Sequence, residues 1–145
     1  MAGLNNKGYS LVELLLVLMI VMAISTSALY INNRYVEKRE FNLFYNQLKL
    51  DVATVQLSAM QEGKYMKIVF DTGGTRYIGR KSLYEPIFER NLPPGYQLSS
   101  RSTLNECAFS PNGTIEKFGT MVFNTPSGLK NVRVFIGKGR MSLDE

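Results

Sequence analysis

The chain has 145 residues, a typical length for a single domain. Its 17 lysines and arginines exceed its 12 acidic residues, and the excess is spread along the chain, so no basic tail for nucleic acid is indicated. The single cysteine, Cys107, excludes a disulfide within the chain. The absence of histidine excludes the usual zinc sites and Ser-His-Asp or Cys-His catalysis. We therefore expect no metal, no cofactor and no catalytic residue.

Apolar residues are concentrated near the N-terminus. No charged side chain occurs in residues 14–33, and these 20 residues would form a helix of about 30 Å, which matches a bilayer's hydrocarbon core. One interpretation is a secretory signal peptide with Lys7 as its basic region and cleavage near Ala28. Against it, Glu13 opens the apolar run, where a carboxylate costs free energy unless it reaches the interface or meets a cation. Two interpretations of Glu13 remain: its carboxylate reaches the membrane interface, or it pairs with a cationic group that has a functional role.

Residues 7–13 read Lys-Gly-Tyr-Ser-Leu-Val-Glu, and an uninterrupted apolar run follows at once. This pattern resembles the class III signal of type IV pilins and pseudopilins. The resemblance implies that a prepilin peptidase cleaves after Gly8 and that the new N-terminal amine of Tyr9 is methylated. It also implies that Glu13 meets the N-terminal amine of a neighbouring subunit, where a charge-assisted contact sets the register of assembly.

An amphipathic helix is predicted beyond the apolar run. Its apolar positions are three or four residues apart and form one face: Phe41, Phe44, Leu48, Val52, Val55 and Ala59. Neither glycine nor proline interrupts residues 9–62, and Gly63 follows as a C-cap. The pattern predicts one helix over residues 9–62, whose second half packs its aromatic stripe on a globular domain.

From Lys64 the apolar period shifts toward two, which predicts strands. We expect strands over residues 65–70, 76–78, 82–84, 96–98, 107–110, 114–117, 120–123, 131–136 and 140–143. Turns are expected at residues 71–74 and 137–139, and hairpin turns at 111–113 and 125–128. Pro86 places the segment after it at a sheet edge. The predicted fold class is α+β, with a long N-terminal helix packed on a small antiparallel β-sheet.

The C-terminal sequence narrows the resemblance. Residues 132–141, Val-Arg-Val-Phe-Ile-Gly-Lys-Gly-Arg-Met, are similar to the end of the H-type pseudopilin and related minor pilin family, most of all to the ComGD-type minor pilins of Gram-positive competence pili. The resemblance implies a leader at 1–8, a transmembrane and assembly helix at 9–33 and an extracytoplasmic pilin-like domain at 34–145. That domain would comprise the amphipathic helix at 34–62 and a β domain at 64–145.

Three basic residues of this C-terminal run, Arg133, Lys138 and Arg140, lie near two glycines. A basic turn of this kind contacts phosphates through its side chains and exposed amides, so a DNA site is one interpretation. The other is a solvated strand end with ordinary surface charges, and the acidic Asp144 nearby favours it. Cys107 precedes Ala108 and is expected in the core, with pairing between subunits as the alternative.

The resemblance implies a structural minor pilin, not an enzyme, that helps to initiate or cap a competence-type IV pilus for DNA uptake in transformation. Its partners would be the major pilin, other minor pilins, the prepilin peptidase and the cell membrane. It would cross that membrane once, with its N-terminus inside and its globular domain outside, and reach the cell surface in the pilus. The alternatives are a minor pilin that contacts DNA through the basic turn and a minor pseudopilin of a type II secretion system.

Overall fold

The structure is a computed structural model that describes residues 10–82 and 85–144, with the backbone alone described for residues 27–35. The chain divides into two compact units, Met1–Lys38 and Arg39–Glu145. The first unit contains the N-terminal part of helix α1, and the second contains the rest of that helix and all of the described strands. The leader predicted at residues 1–8 lies outside the described residues.

Helix α1 spans Leu11–Glu62, which confirms the predicted helix except at its first residues, since Tyr9 lies outside the described part of the chain. The carbonyl oxygen of Ser10 accepts hydrogen bonds from the amides of Glu13 (3.0 Å) and Leu14 (3.1 Å) and so closes the first turn. Gly63 follows the last turn with a φ of 62°, as the predicted C-cap requires. Within the described residues, no helix is both long enough and apolar enough to cross a membrane.

The predicted apolar stripe of the amphipathic half of α1 is confirmed, because all six of its residues are buried. Aromatic rings connect this face to the strands: the ring centroid of Phe44 lies 5.2 Å from that of Phe123, which lies 5.9 Å from that of Phe70. Each large apolar side chain buried in this way stabilises the fold by about 1.5–3 kcal/mol. The core of the second unit therefore lies between this face of α1 and the strands.

The described strands form two four-stranded antiparallel sheets where a single sheet was predicted. The strands are β1 Met66–Phe70, β2 Arg76–Arg80, β3 Pro86–Asn91, β4 Gln97–Leu98, β5 Glu106–Phe109, β6 Gly119–Thr125, β7 Gly128–Val134 and β8 Met141–Asp144. Sheet one has the order β3-β2-β1-β5, and sheet two has the order β4-β6-β7-β8. The chain forms β1, β2 and β3 of sheet one, then β4 of sheet two, and only then returns to sheet one with β5. No local sequence pattern predicts this alternation between the sheets.

The second predicted hairpin and the predicted edge strand are confirmed. β6 and β7 pair as far as Thr125 opposite Gly128, so residues 126–127 form a two-residue turn. β3 begins at Pro86 and is an edge strand of sheet one. Proline has no amide hydrogen, and at an edge this costs the sheet no hydrogen bond.

Three strand predictions differ from the structure. Ser82 lies outside β2, and the rest of the predicted strand at 82–84 lies outside the described residues. Residues 114–117 form no continuous strand, and Ile115 makes only isolated bridges, to Phe109 and to Gly137. The predicted turn at 111–113 is nevertheless present, because the amide of Ser110 donates to the carbonyl oxygen of Thr114 (3.0 Å) and the amide of Glu116 donates to that of Ala108 (2.9 Å). β7 ends at Val134, two residues early, because the backbone turns there toward residues 137–139.

Candidate functional site

The predicted assembly site is at the N-terminal end of α1. Gly8 and Tyr9, the predicted residues of cleavage and methylation, lie outside the described residues. Glu13 lies in the first turn of α1, and its side chain is exposed. A carboxylate in a first turn interacts favourably with the free amides of the helix N-terminus. An exposed Glu13 is also accessible to a cationic group of another chain.

The helix around Glu13 exposes a large apolar surface. Twelve large apolar side chains are each at least 50% exposed: Leu11, Val12, Leu14, Leu15, Leu16, Val17, Leu18, Met19, Ile20, Val21, Met22 and Ile24. Monomeric soluble proteins rarely expose contiguous apolar surface of this extent. Exposed apolar surface of this extent is typical of a segment that contacts lipid or another chain.

The C-terminal basic turn lies between β7 and β8 and is held by α1. The side-chain amide of Gln56 donates hydrogen bonds to the carbonyl oxygens of Gly113 (2.7 Å) and Lys138 (3.1 Å). The amide of Phe135 donates to the carbonyl oxygen of Arg140 across the turn (2.8 Å). The side chains of Lys138 and Arg140 are exposed, so a fixed backbone presents them to solvent.

Arg133 is the third predicted member of the basic turn, and its charge is satisfied within the sheet. It lies on β7, opposite Ser142 of β8. The Nη2 atom of Arg133 lies 2.6 Å from Oδ2 of Asp144. The structure thus pairs Arg133 with a carboxylate, which lowers the net positive charge of the predicted basic turn.

A buried carboxylate links α1 to sheet one, and the sequence analysis missed it. Asp51 is 4% exposed. Its Oδ2 atom accepts hydrogen bonds from the hydroxyl of Tyr77 and from Nε of Arg90, both at 2.7 Å, and its Oδ1 atom accepts one from the side-chain amide (Nε2) of Gln47 at 3.0 Å. Burial, reinforced by the bond to Asp51, raises the pKa of Tyr77 above its ordinary value, and the same carboxylate raises the pKa of Arg90.

One signal of this network was present in the sequence. Asp51 follows Leu48 by three residues and precedes Val55 by four, so the helical period places it at the border of the apolar stripe. An acidic residue at such a position requires buried partners. The identity of those partners depends on which strands pack there.

Cys107 is 1% exposed, in agreement with its predicted place in the core. Burial raises the pKa of its thiol to about 12, and the charge of Glu106 adds to the effect. Within residues 10–82 and 85–144, no three acidic or cysteine side chains lie close enough together to hold a metal ion.

Solved structures match the fold, whereas two comparisons of the sequence found no match. No protein-family profile matches the sequence, and no curated protein matches it significantly. Two crystal structures of the type IV minor pilin FimU of Pseudomonas aeruginosa strain PAO1 match the fold at 14% sequence identity. One has a TM-score of 0.60 and covers 77% of this chain and 92% of the FimU chain. The other has a TM-score of 0.53, with 69% and 89% covered. The chain therefore has the fold of a type IV minor pilin.

Proposed function

We propose that the chain is a structural minor pilin, not an enzyme, which helps to initiate or cap a competence-type IV pilus for DNA uptake. The observation that carries the proposal is an exposed apolar helix, opened by Glu13, in a chain with the fold of a minor pilin. Other pilin subunits are the natural partners of such a surface. The prepilin-type sequence at residues 7–13 supports processing after Gly8.

The uncharged run at residues 14–33 supports a stage at the cell membrane before assembly. In this proposal the run crosses the membrane once, with the N-terminus inside and the second unit outside, and is withdrawn into the pilus. Extraction of cell membranes at alkaline pH tests this stage. The full chain should stay in the pellet, and release into the supernatant would contradict an integral segment.

Direct DNA binding by the basic turn is not part of the proposal. The ion pair between Arg133 and Asp144 removes one of the three charges on which that alternative depends. Lys138 and Arg140 alone would contribute two phosphate contacts, which give weak and strongly salt-dependent binding.

We predict that Glu13→Ala leaves processing intact but lowers incorporation into pili. Loss of one partner of a charge pair in a low-dielectric core leaves the other charge uncompensated, so the amount in sheared pili should fall by about tenfold or more. Mass spectrometry of the mature chain should find a methylated Tyr9 as its first residue in both wild type and variant.

The matched control is Glu40→Ala, which removes an exposed carboxylate from α1 outside the apolar segment and should leave incorporation unchanged. Wild-type levels of Glu13→Ala in pili would contradict the role of Glu13. A mature chain that begins at Met1 or near Ala28 would contradict the processing. Deletion of the gene should abolish transformation but not protein secretion, which separates a competence pilus from a secretion machine.

A further inference from the structure

A cleft of about 690 Å³ lies where the two sheets of the second unit meet. Its volume is within the range of roughly 300–1,000 Å³ found for small-molecule sites. The turn between β1 and β2, strand β4, the segment after β4 and one residue of β6 line it: Phe70, Asp71, Thr72, Gly74, Gln97, Leu98, Ser99, Ser100, Ser102, Thr103, Asn105 and Asn124. The proposed pilin function uses none of these residues.

The lining of the cleft is polar but nearly uncharged. Nine of the twelve lining residues have hydroxyl, amide or carboxylate side chains, and Asp71 is the one ionisable residue among them. Without a basic residue in the lining, a phosphate or carboxylate ligand would have no counter-charge. A single carboxylate is also too few ligands for a Ca²⁺ ion, which takes about six to eight oxygens. The lining chemistry favours a neutral ligand that forms many hydrogen bonds.

Hydrogen bonds hold the walls of the cleft in place. The hydroxyl of Ser102 accepts from the amide of Val122 (2.9 Å) and donates to its carbonyl oxygen (3.1 Å). The hydroxyl of Thr103 does the same with the amide (2.9 Å) and the carbonyl oxygen (3.3 Å) of Thr120. These bonds fix the segment after β4 along the edge of β6, so the site pays little ordering entropy on binding.

The turn that forms the opposite wall is fixed as well. The backbone amide of Leu98 donates to the carbonyl oxygen of Gly74 (2.7 Å). The side-chain amide of Gln97 donates to the carbonyl oxygen of Gly73 (2.7 Å). Gly74 has a φ of +65°, and a Cβ atom there would lie 2.6 Å from the carbonyl oxygen of Leu98. Only glycine allows this close approach of sheet one to β4.

Four side chains of the lining keep their hydrogen-bonding groups open. Thr72, Ser100, Asn105 and Asn124 are exposed, and none forms a side-chain hydrogen bond to another residue in the described part of the chain. The two amides each offer a donor and an acceptor, and the two hydroxyls offer both. Sugar hydroxyls likewise donate and accept, so a saccharide matches this set.

We propose that this cleft binds a neutral saccharide of one or two sugar residues, an activity separate from assembly. Asn105 and Asn124 are the principal contacts, Thr72 and Ser100 add hydroxyl contacts, and the lining has no basic side chain to pair with an acidic sugar. The fixed walls supply the shape of the site.

The test is a titration of the full chain, in micelles of a detergent that contains no sugar, by NMR. The probes are maltose, N,N′-diacetylchitobiose and, as the acidic counterpart, glucuronic acid. At least one neutral disaccharide should bind saturably with a Kd of about 1–10 mM, and glucuronic acid should bind at least about tenfold more weakly. The double substitution Asn105→Ala, Asn124→Ala should raise the Kd for the neutral sugar by about tenfold or more.

The matched control is Asn131→Ala, an exposed asparagine of β7 outside the cleft, which should leave the Kd unchanged. Ser100→Trp, which fills the cleft from an exposed position, should abolish binding and guards against misfolding of the double variant. Absence of saturable binding to both disaccharides would overturn the proposal. A Kd unaffected by the double substitution or by Ser100→Trp, or equal affinity for glucuronic acid, would overturn it too. These outcomes leave the pilin function untouched, because that function depends on α1.

Discussion

Asp51 shows how one residue ties a helix to a sheet. Its carboxylate is buried, yet it receives three hydrogen bonds, from α1 itself, from β2 and from β3. Two of its partners differ in environment: Tyr77 is 1% exposed, whereas the Arg90 side chain is 45% exposed. We therefore expect the hydroxyl of Tyr77 to depend on Asp51 far more than Arg90 does.

We predict that Asp51→Ala lowers the free energy of unfolding by about 2–3 kcal/mol, because it leaves the buried hydroxyl of Tyr77 without an acceptor. Tyr77→Phe should cost less, about 1 kcal/mol, because it removes the donor together with the bond. Urea unfolding of both single variants and of the double variant measures the coupling. The double variant should be less destabilised than the sum of the two.

Asn46→Ala is the matched control, since it changes an exposed residue of α1 outside the network, and it should cost at most about 0.5 kcal/mol. Arg90→Ala should be destabilising too, because it leaves the buried carboxylate of Asp51 without its cation. Strict additivity of Asp51→Ala and Tyr77→Phe would contradict the coupling. At this scale the sequence predicted the buried stripe of α1 well, because each apolar position obeys the helical period. It did not predict the partners of Asp51, because Tyr77 and Arg90 come from strands 26 and 39 residues away.

Elements of sheet one are joined by a charge cluster around Glu106 on β5. Its carboxylate accepts a hydrogen bond from Nζ of Lys67 on β1 at 3.1 Å and another from Lys117, in the segment before β6. The bond from Lys117 contributes most to a lowered pKa of Glu106, with Lys67 adding to it and burial opposing it. The cluster holds the segment that replaces the predicted strand at 114–117.

Stability should depend on pH through Glu106. Because its pKa is lower in the folded state, its contribution is fully present above the ordinary value of 4.5 and is lost as the pH falls through the lowered value. We predict that Glu106→Gln costs at most about 1 kcal/mol at neutral pH, since both lysines are partly exposed. The difference from wild type should shrink as the pH falls below 4.5, as measured by thermal unfolding from neutral pH downward.

Glu116→Gln is the companion variant, as it removes an exposed carboxylate of the same segment. It should change stability little at any pH. A destabilisation by Glu106→Gln that stays constant into acid would contradict an electrostatic origin and indicate a packing role.

Among the elements, the 126–127 turn and the edge strand β3 followed from short-range chemistry that the sequence displays. In the segment 114–117, which is predicted to be a strand, polar and apolar side chains alternate over residues 114–116 as they do in the observed strands. There Ile115 bridges two different segments, at Phe109 and at Gly137, and such pairing depends on tertiary packing that short-range patterns do not encode.

At the scale of the whole molecule, the reactivity of the Cys107 thiol measures how often the second unit unfolds. The thiol is enclosed, and its pKa of about 12 leaves almost no thiolate at pH 8. We predict that a disulfide reagent at pH 8 labels Cys107 in the native chain at a rate at least about 10³-fold lower than in the chain unfolded in guanidinium chloride. The reason is that the reagent reaches the thiol only when the second unit unfolds.

A surface thiol provides the comparison. In a Cys107→Ala background, Ser127→Cys places a thiol in the exposed turn of sheet two and should react as fast folded as unfolded. Rapid labelling of native Cys107, or a disulfide-linked dimer under mild oxidation, would contradict its enclosure.

The division of the strands into two sheets is the part of the architecture that could not be predicted. Each strand pairing depends on which distant edge is free, and β5 joins β1 although β4 precedes it in the chain. The cleft proposed to bind a saccharide lies at this division, so no motif in the sequence marks it. The predicted processing signal and Glu13, in contrast, are adjacent in the chain, so a local pattern is enough to predict them.

The hydroxyl bonds of Ser102 and Thr103 also act as a barrier to misassembly. β4 covers only two residues of the β6 edge, and farther along these two side chains occupy the backbone groups of Val122 and Thr120. On this described stretch a foreign strand finds every donor and acceptor already taken. These two hydroxyls thus protect one sheet border from the cross-β stacking of amyloid.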